Sequence, residues 1–142
     1  MKKYIITCTL FLSIVALSAC SEQEADGEGV EMKTFVEENG KAGLTKEEVT
    51  AKFGDAQAFG EIGGEEVWLY DNSDAAYDRS FSSIDGKVFT DDVVDYQLYI
   101  SFVNDLAYRY SYIYETGDEV WQLQLLSGGE SPIHAKVNLP VE

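Results

Sequence analysis

The segment Tyr96–Leu126 is the feature that most constrains the fold of this chain. It contains three stretches rich in aromatic and aliphatic residues, separated by Asn104-Asp105 and by Thr116-Gly117-Asp118. Aromatic and β-branched residues favour strands, and short connections of this composition favour hairpin turns. The segment therefore predicts three consecutive antiparallel strands, which are Tyr96–Val103, Leu106–Tyr114 and Val120–Leu126.

Alternation along these strands leaves two registers open. With a two-residue turn at 104–105 and a three-residue loop at 115–117, one buried face collects Leu98, Ile100, Phe102, Trp121, Leu123 and Leu125. A slip of one residue in the second loop moves Trp121 and both leucines to the other face. We favour the first register because it separates aliphatic from amphipathic side chains, although it leaves Arg109 on the buried face.

The favoured register places a set of tyrosines on the open face of the sheet, namely Tyr99, Tyr108, Tyr110, Tyr112 and Tyr114. Tyrosine is common in protein interfaces because it is large, amphipathic and loses little entropy on binding. These five residues are therefore the candidate surface for a protein partner. The alternative is that they pack across strands, or within the core under the other register.

Two short helices are expected before the strands. Val30–Asn39 has fair helical periodicity and is followed by Gly40. The second helix, Thr45–Phe53, begins with a capping box in which Thr45 and Glu48 exchange side-chain-to-backbone hydrogen bonds, and it ends at Gly54.

Shorter signals complete the expected α+β fold, in which two short N-terminal helices pack on an antiparallel β meander. Val67–Tyr70 predicts a strand, and Asp85-Gly86 predicts a hairpin turn between 81–84 and 87–89. A further short strand is expected around His134–Leu139.

The N-terminus predicts a bacterial lipoprotein signal over residues 1–19. Lys2 and Lys3 precede an apolar stretch too short to span a bilayer comfortably, and Leu17–Cys20 is typical of a lipobox. Such a signal implies lipidation of Cys20, export, and anchoring to the outer face of the cell membrane, or to the outer membrane of a Gram-negative host. Residues 20–29 then form an acidic tether, and residues 30–142 form a single domain.

The charge excludes one class of partner and the composition limits the chemistry. The chain has 26 acidic and 10 basic residues, so nucleic-acid phosphates would repel it. His134 is the only histidine, and no G-x-S-x-G motif accompanies it, so we expect neither an enzyme nor a cofactor. Asp71–Asp74 with Asp78 offers oxygen ligands for calcium but lacks the EF-hand spacing, so no metal site is predicted.

Several short motifs together resemble the SmpA/OmlA-like family of small lipoproteins. They are Gly43–Val49, Phe53–Ala56, Glu66–Tyr70 and Tyr99–Phe102, with Ala56 where the family often has proline and Asp105 where glycine is usual. The resemblance implies two small helices packed on an antiparallel sheet, an architecture shared with beta-lactamase inhibitor protein. It also implies a role in binding other envelope proteins.

Two function hypotheses follow. The first is a non-enzymatic, membrane-anchored module that binds another envelope protein through the tyrosine face. The second is a surface lipoprotein that binds a small ligand inside a closed, calycin-like barrel lined by aromatic residues. The first requires an open sheet with the helices lying across it, and the second requires barrel closure.

Overall fold

A computed structural model of the chain describes residues 28–139. The helices and strands, in chain order, are α1 Glu28–Asn39, α2 Lys46–Phe53, β1 Ala58–Ile62, β2 Glu65–Asp71, α3 Lys87–Thr90, β3 Tyr96–Val103, β4 Leu106–Thr116, β5 Glu119–Leu126 and β6 Ile133–Lys136. Within the described range, every helix is too short or too polar to cross a bilayer. The predicted lipobox, Cys20 and most of the acidic tether lie outside the described residues.

The six strands form one antiparallel sheet in chain order, from β1 at one edge to β6 at the other. The α+β class and the meander are therefore confirmed. Over the described residues the sheet is open, whereas the second function hypothesis requires a closed barrel. Strand β1 was not predicted; it pairs with β2 through the Gly63-Gly64 turn, where both glycines have positive φ.

One face of the sheet, called here the helix face, is covered by α1 and α2. The predicted capping box of α2 is present, and Gly54 ends that helix with φ of 80°. Helix α1 contacts mainly β4, and its Gly29 lies so close to the sheet that a Cβ atom would approach the Asp95 carbonyl oxygen to 2.9 Å. Val36 and Val49 are fully buried against this face.

The predicted buried set on β3 and β5 does share the helix face: Leu98, Ile100, Phe102, Trp121, Leu123 and Leu125. The predicted placement of the β4 tyrosines on the other face is wrong, because β4 contains a bulge. Phe102 pairs with Ala107 as expected, but the next pair is Ser101 with Arg109, so Tyr108 is an extra residue. The bulge brings Tyr110 and Tyr112 to the same face as Ile100 and Leu98. The β4–β5 turn is also one residue shorter than expected, since Thr116 pairs with Glu119.

The opposite face, called here the connection face, is covered by the chain between β2 and β3. The expected hairpin around Asp85-Gly86 is wrong, because residues 87–90 form the single helical turn α3. That turn buries Val88 and Phe89 against the sheet, and Phe81 lies directly over Gly60. Two apolar layers on two sides of one sheet result.

A buried polar network fastens the connection to the sheet. Asp71, only 4% exposed, accepts hydrogen bonds from the Arg79 guanidinium at 2.8 and 3.2 Å and from the Tyr77 hydroxyl at 2.5 Å. The Gln97 amide donates to Tyr77, and the Tyr99 hydroxyl bonds to Gln97 and to the Ser80 carbonyl. A buried carboxylate needs such partners, and this network supplies them to Asp71.

Candidate functional site

The five tyrosines predicted to form a partner surface do not share one open face. Tyr110, Tyr112 and Tyr114 lie beneath the helices, and their exposed fractions are 1%, 0% and 4%. Tyr99 belongs to the connection face and is 7% exposed. Only Tyr108, the bulge residue, is partly exposed, and its hydroxyl donates to Glu65. The described residues therefore present no open tyrosine face.

Three buried tyrosines of the helix face donate their hydroxyl groups to backbone carbonyls in or near the helices. Tyr112 donates to Gly29 at 2.5 Å, Tyr110 to Lys41 at 2.8 Å, and Tyr70 to Gly54 at 3.1 Å. Burial raises the pKa of Tyr70 to about 12 and raises those of Tyr110 and Tyr112 further. The tyrosines thus fill the core while satisfying carbonyl groups near the helices.

An exposed aromatic surface lies instead at the β1 edge of the helix face. Phe59 is 65% exposed and packs edge-to-face on Trp68, with ring centroids 5.4 Å apart. Trp68 in turn contacts Phe102 at 4.8 Å. Between Trp68 and α2 runs an open groove of about 470 Å³, lined on the α2 side by Lys46, Glu47, Thr50 and Ala51. We call this surface, with Phe59 at its outer end, the edge groove.

Charged groups fix the geometry of the edge groove. The Lys46 ammonium lies 2.6 Å from Glu66 and 2.7 Å from Asp105, and Glu66 also accepts from the Trp68 indole at 2.8 Å. Hydrogen bonds to Asp105 and Glu66 raise the pKa of Lys46, while those from Lys46 and Trp68 lower the pKa of Glu66. Lys46 is thus neutralised locally, and the exposed carboxylates of Glu47 and Glu61 leave the rim acidic.

The remaining residues considered in the sequence are His134 and the aspartates around Asp71, and the structure shows what each contacts. His134 on β6 lies 2.7 Å from the Tyr114 hydroxyl, and its ring contacts the Trp121 ring at 5.0 Å. The oxygens of Asp71, considered as calcium ligands, are already bonded to Arg79, Tyr77 and the Ser73 amide. Across residues 28–139, no cluster of acidic, histidine or cysteine side chains is placed to hold a metal ion.

Sequence reasoning missed the edge groove because it missed β1. The sequence does contain a signal for it, since Ala58–Ile62 and Gly63-Gly64 come shortly before the predicted strand Val67–Tyr70. Two glycines between short β-favouring runs are typical of a hairpin. Recognising that hairpin would have placed Phe59 beside Trp68.

No family model matches the chain, and comparison with curated proteins and with solved structures returned no match.

Proposed function

We propose that this chain is a non-enzymatic, lipid-anchored module of a bacterial cell envelope that binds another envelope protein through the edge groove. The observation that carries the proposal is Phe59, a large apolar side chain 65% exposed on an edge strand beside Trp68. Phe59 continues into Trp68 and Phe102, and contiguous apolar surfaces that contain aromatic side chains are typical of protein contacts. The resemblance to the SmpA/OmlA-like lipoproteins supports the same role.

The edge groove favours one kind of occupant, an extended segment with an apolar side chain and basic neighbours. Strand β1 is the last strand of the sheet on its side, so a segment lying along it would add a further strand. An apolar side chain of that segment would contact Phe59. Basic residues beside it would face the carboxylates of Glu47 and Glu61, in a protein that is strongly acidic overall.

The anchor is proposed at Cys20, on the outer face of the cell membrane or on the outer membrane of a Gram-negative host. Labelling of cells with a palmitate analogue should mark the protein, and Cys20→Ala should abolish that label. Two or more acyl chains hold a protein firmly, at about 0.8 kcal/mol per buried methylene. Undiminished labelling of the Cys20→Ala variant would refute the anchor.

Site-specific photo-cross-linking in intact cells tests the contact. A photoreactive side chain at position 59 should yield one defined cross-linked protein, and the same group at position 133 should not. Ile133 is a matched control because it is 50% exposed on the opposite edge strand. Charge reversal by Glu47→Lys with Glu61→Lys should weaken binding of the purified partner about tenfold or more. Equal cross-linking from both edges, or unaffected binding, would contradict the proposal.

A further inference from the structure

The connection face contains a small cleft that the proposed protein contact does not use. It lies between the segment 80–84 and the sheet, has a volume of about 160 Å³, and opens to solvent. Its floor is formed by side chains of β3, β4 and β5 that point to the same side, since Ser101 pairs with Arg109 and Ile113 pairs with Gln122. The edge groove lies on the opposite face of the sheet.

Three polar side chains of the sheet line part of the floor of this cleft. Val67, Leu69 and Val120 line the neighbouring part of the face, but Ser101, Ser111 and Gln122 occupy the cleft. Within the described chain, the side chains of Ser111 and Gln122 form no hydrogen bond with another residue. Both side chains are partly exposed, so their polar groups are accessible to a ligand.

Arg109 brings a cationic group to the same floor. Its guanidinium donates to the Ser101 hydroxyl at 3.3 Å and lies 3.8 Å from the Glu65 carboxylate. The side chain is 31% exposed. A guanidinium has five N–H donors, so these two contacts of Nη2 leave other donors of the group without a hydrogen bond. Arginine is well suited to binding a planar carboxylate with two parallel hydrogen bonds.

We propose that this cleft binds a small hydroxylated carboxylate of the size and chemistry of a uronic acid. The carboxylate would bond to Arg109, while the hydroxyl groups would bond to Ser111 and Gln122, which both donate and accept. Phe81 and Ile113 offer apolar contact for the carbon skeleton. The cleft is smaller than the roughly 300 Å³ at which pockets for drug-sized ligands begin, so a single sugar-sized unit is the appropriate scale.

Binding of D-glucuronate to the full-length chain in mild detergent, followed by NMR chemical shifts and calorimetry, tests this inference. D-glucose is the matched ligand, since it has the same ring hydroxyls but no carboxylate. We expect glucuronate to shift amide resonances around Ser101, Arg109 and Ser111 saturably. The affinity for glucose should be lower by about tenfold or more, because a charge-assisted hydrogen bond contributes roughly 1.5–3 kcal/mol.

Two variants make the outcome specific to the cleft. Arg109→Gln should reduce glucuronate affinity about tenfold while leaving glucose affinity unchanged. Lys136→Gln, which removes a cation on strand β6, should leave both affinities unchanged. Unchanged thermal melting of each variant establishes that the fold is retained. No saturable shift with glucuronate, equal affinity for glucose, or an affinity indifferent to Arg109→Gln would each overturn the proposal.

Discussion

The two faces of the sheet are covered in different ways, although both bury apolar side chains. The helix face is closed by two regular helices, of which α2 has both ends predicted by local sequence signals, and its core is rich in tyrosine. The connection face is closed by residues 72–95, which contain only one short helical turn. Regular elements pack through repeated side-chain contacts, whereas an irregular segment is held in place by specific hydrogen bonds and ion pairs.

The interactions that hold the connection segment on the sheet include several polar ones. Asp71 binds Arg79 and Tyr77 at one end of the segment, and Asn72 donates to both Glu28 and Asp95. The helix face instead distributes its packing over aromatic contacts such as Tyr112–Tyr114, whose rings stack 5.4 Å apart. We therefore expect damage to the helix face to affect the whole fold and damage to Asp71 to act mainly on the connection face.

The largest effect is expected from Tyr112→Ala on the helix face. This change removes a fully buried ring and should lower the free energy of unfolding by about 4 kcal/mol. Urea unfolding followed by circular dichroism measures it. Tyr108→Ala, at the partly exposed bulge position, is the matched control and should cost much less. A similar loss for both variants would contradict the observed register.

The next largest effect is expected from Asp71→Ala on the connection face. Removing the carboxylate leaves Arg79 and Tyr77 without their buried partner and should cost about 3 kcal/mol. Hydrogen exchange should increase first at amides of the connection, such as Val93 and Val94, while amides of α1 stay protected.

The exposed Asp74→Ala provides the control, because Asp74 lies on the same segment outside the network. Uniform loss of protection over both faces in Asp71→Ala would show that the two layers unfold as one unit. It would then be wrong that a few polar interactions hold the connection face independently of the packing on the helix face.

The smallest effect is expected from Glu115→Gln, which should raise the free energy of unfolding by an amount that depends on pH. Burial and the nearby Asp92, Asp95 and Asp118 raise the pKa of Glu115 above its usual 4.5. Because the folded-state pKa is raised, ionisation lowers the stability as the pH rises from 4.5 towards that pKa, and the loss is complete above it. The variant should therefore be more stable at neutral pH, by less than about 1 kcal/mol, and the gain should vanish as the pH falls below 4.5.

Glu119→Gln is the control, because it should lower the stability at neutral pH where Glu115→Gln raises it. The hydrogen bond from Lys136 lowers the pKa of Glu119, so its charged form favours folding at neutral pH. Thermal melting across a pH series distinguishes the two variants. A higher melting temperature for Glu119→Gln would refute this electrostatic interpretation. So would an increase for Glu115→Gln that does not change with pH.

Most secondary structure on the helix face was predictable because its signals are local. The Thr45–Glu48 capping box and the Gly54 end of α2 act within one or two helical turns. The Asn104-Asp105 turn has both residues at positive φ, as a tight hairpin turn requires. Strand β3 accordingly has its predicted bounds.

The candidate site was not predictable in the same way. The tyrosine surface depended on a register that the bulge at Tyr108 changes, and a single shifted residue exchanges the two faces of a strand. The edge groove needs Phe59, Trp68 and α2 to meet, and the cleft needs three strands and the segment 80–84. Neither arrangement is encoded in any one short motif.

The sequence by itself determined the α+β class, the order of the meander, the cap of α2 and the acidic character of the chain, because these depend on neighbouring residues or on composition alone. Only the tertiary structure decided which face buries the tyrosines and what closes the connection face. Those outcomes depend on packing between residues distant in the chain, where one bulge and one buried carboxylate outweigh the local pattern.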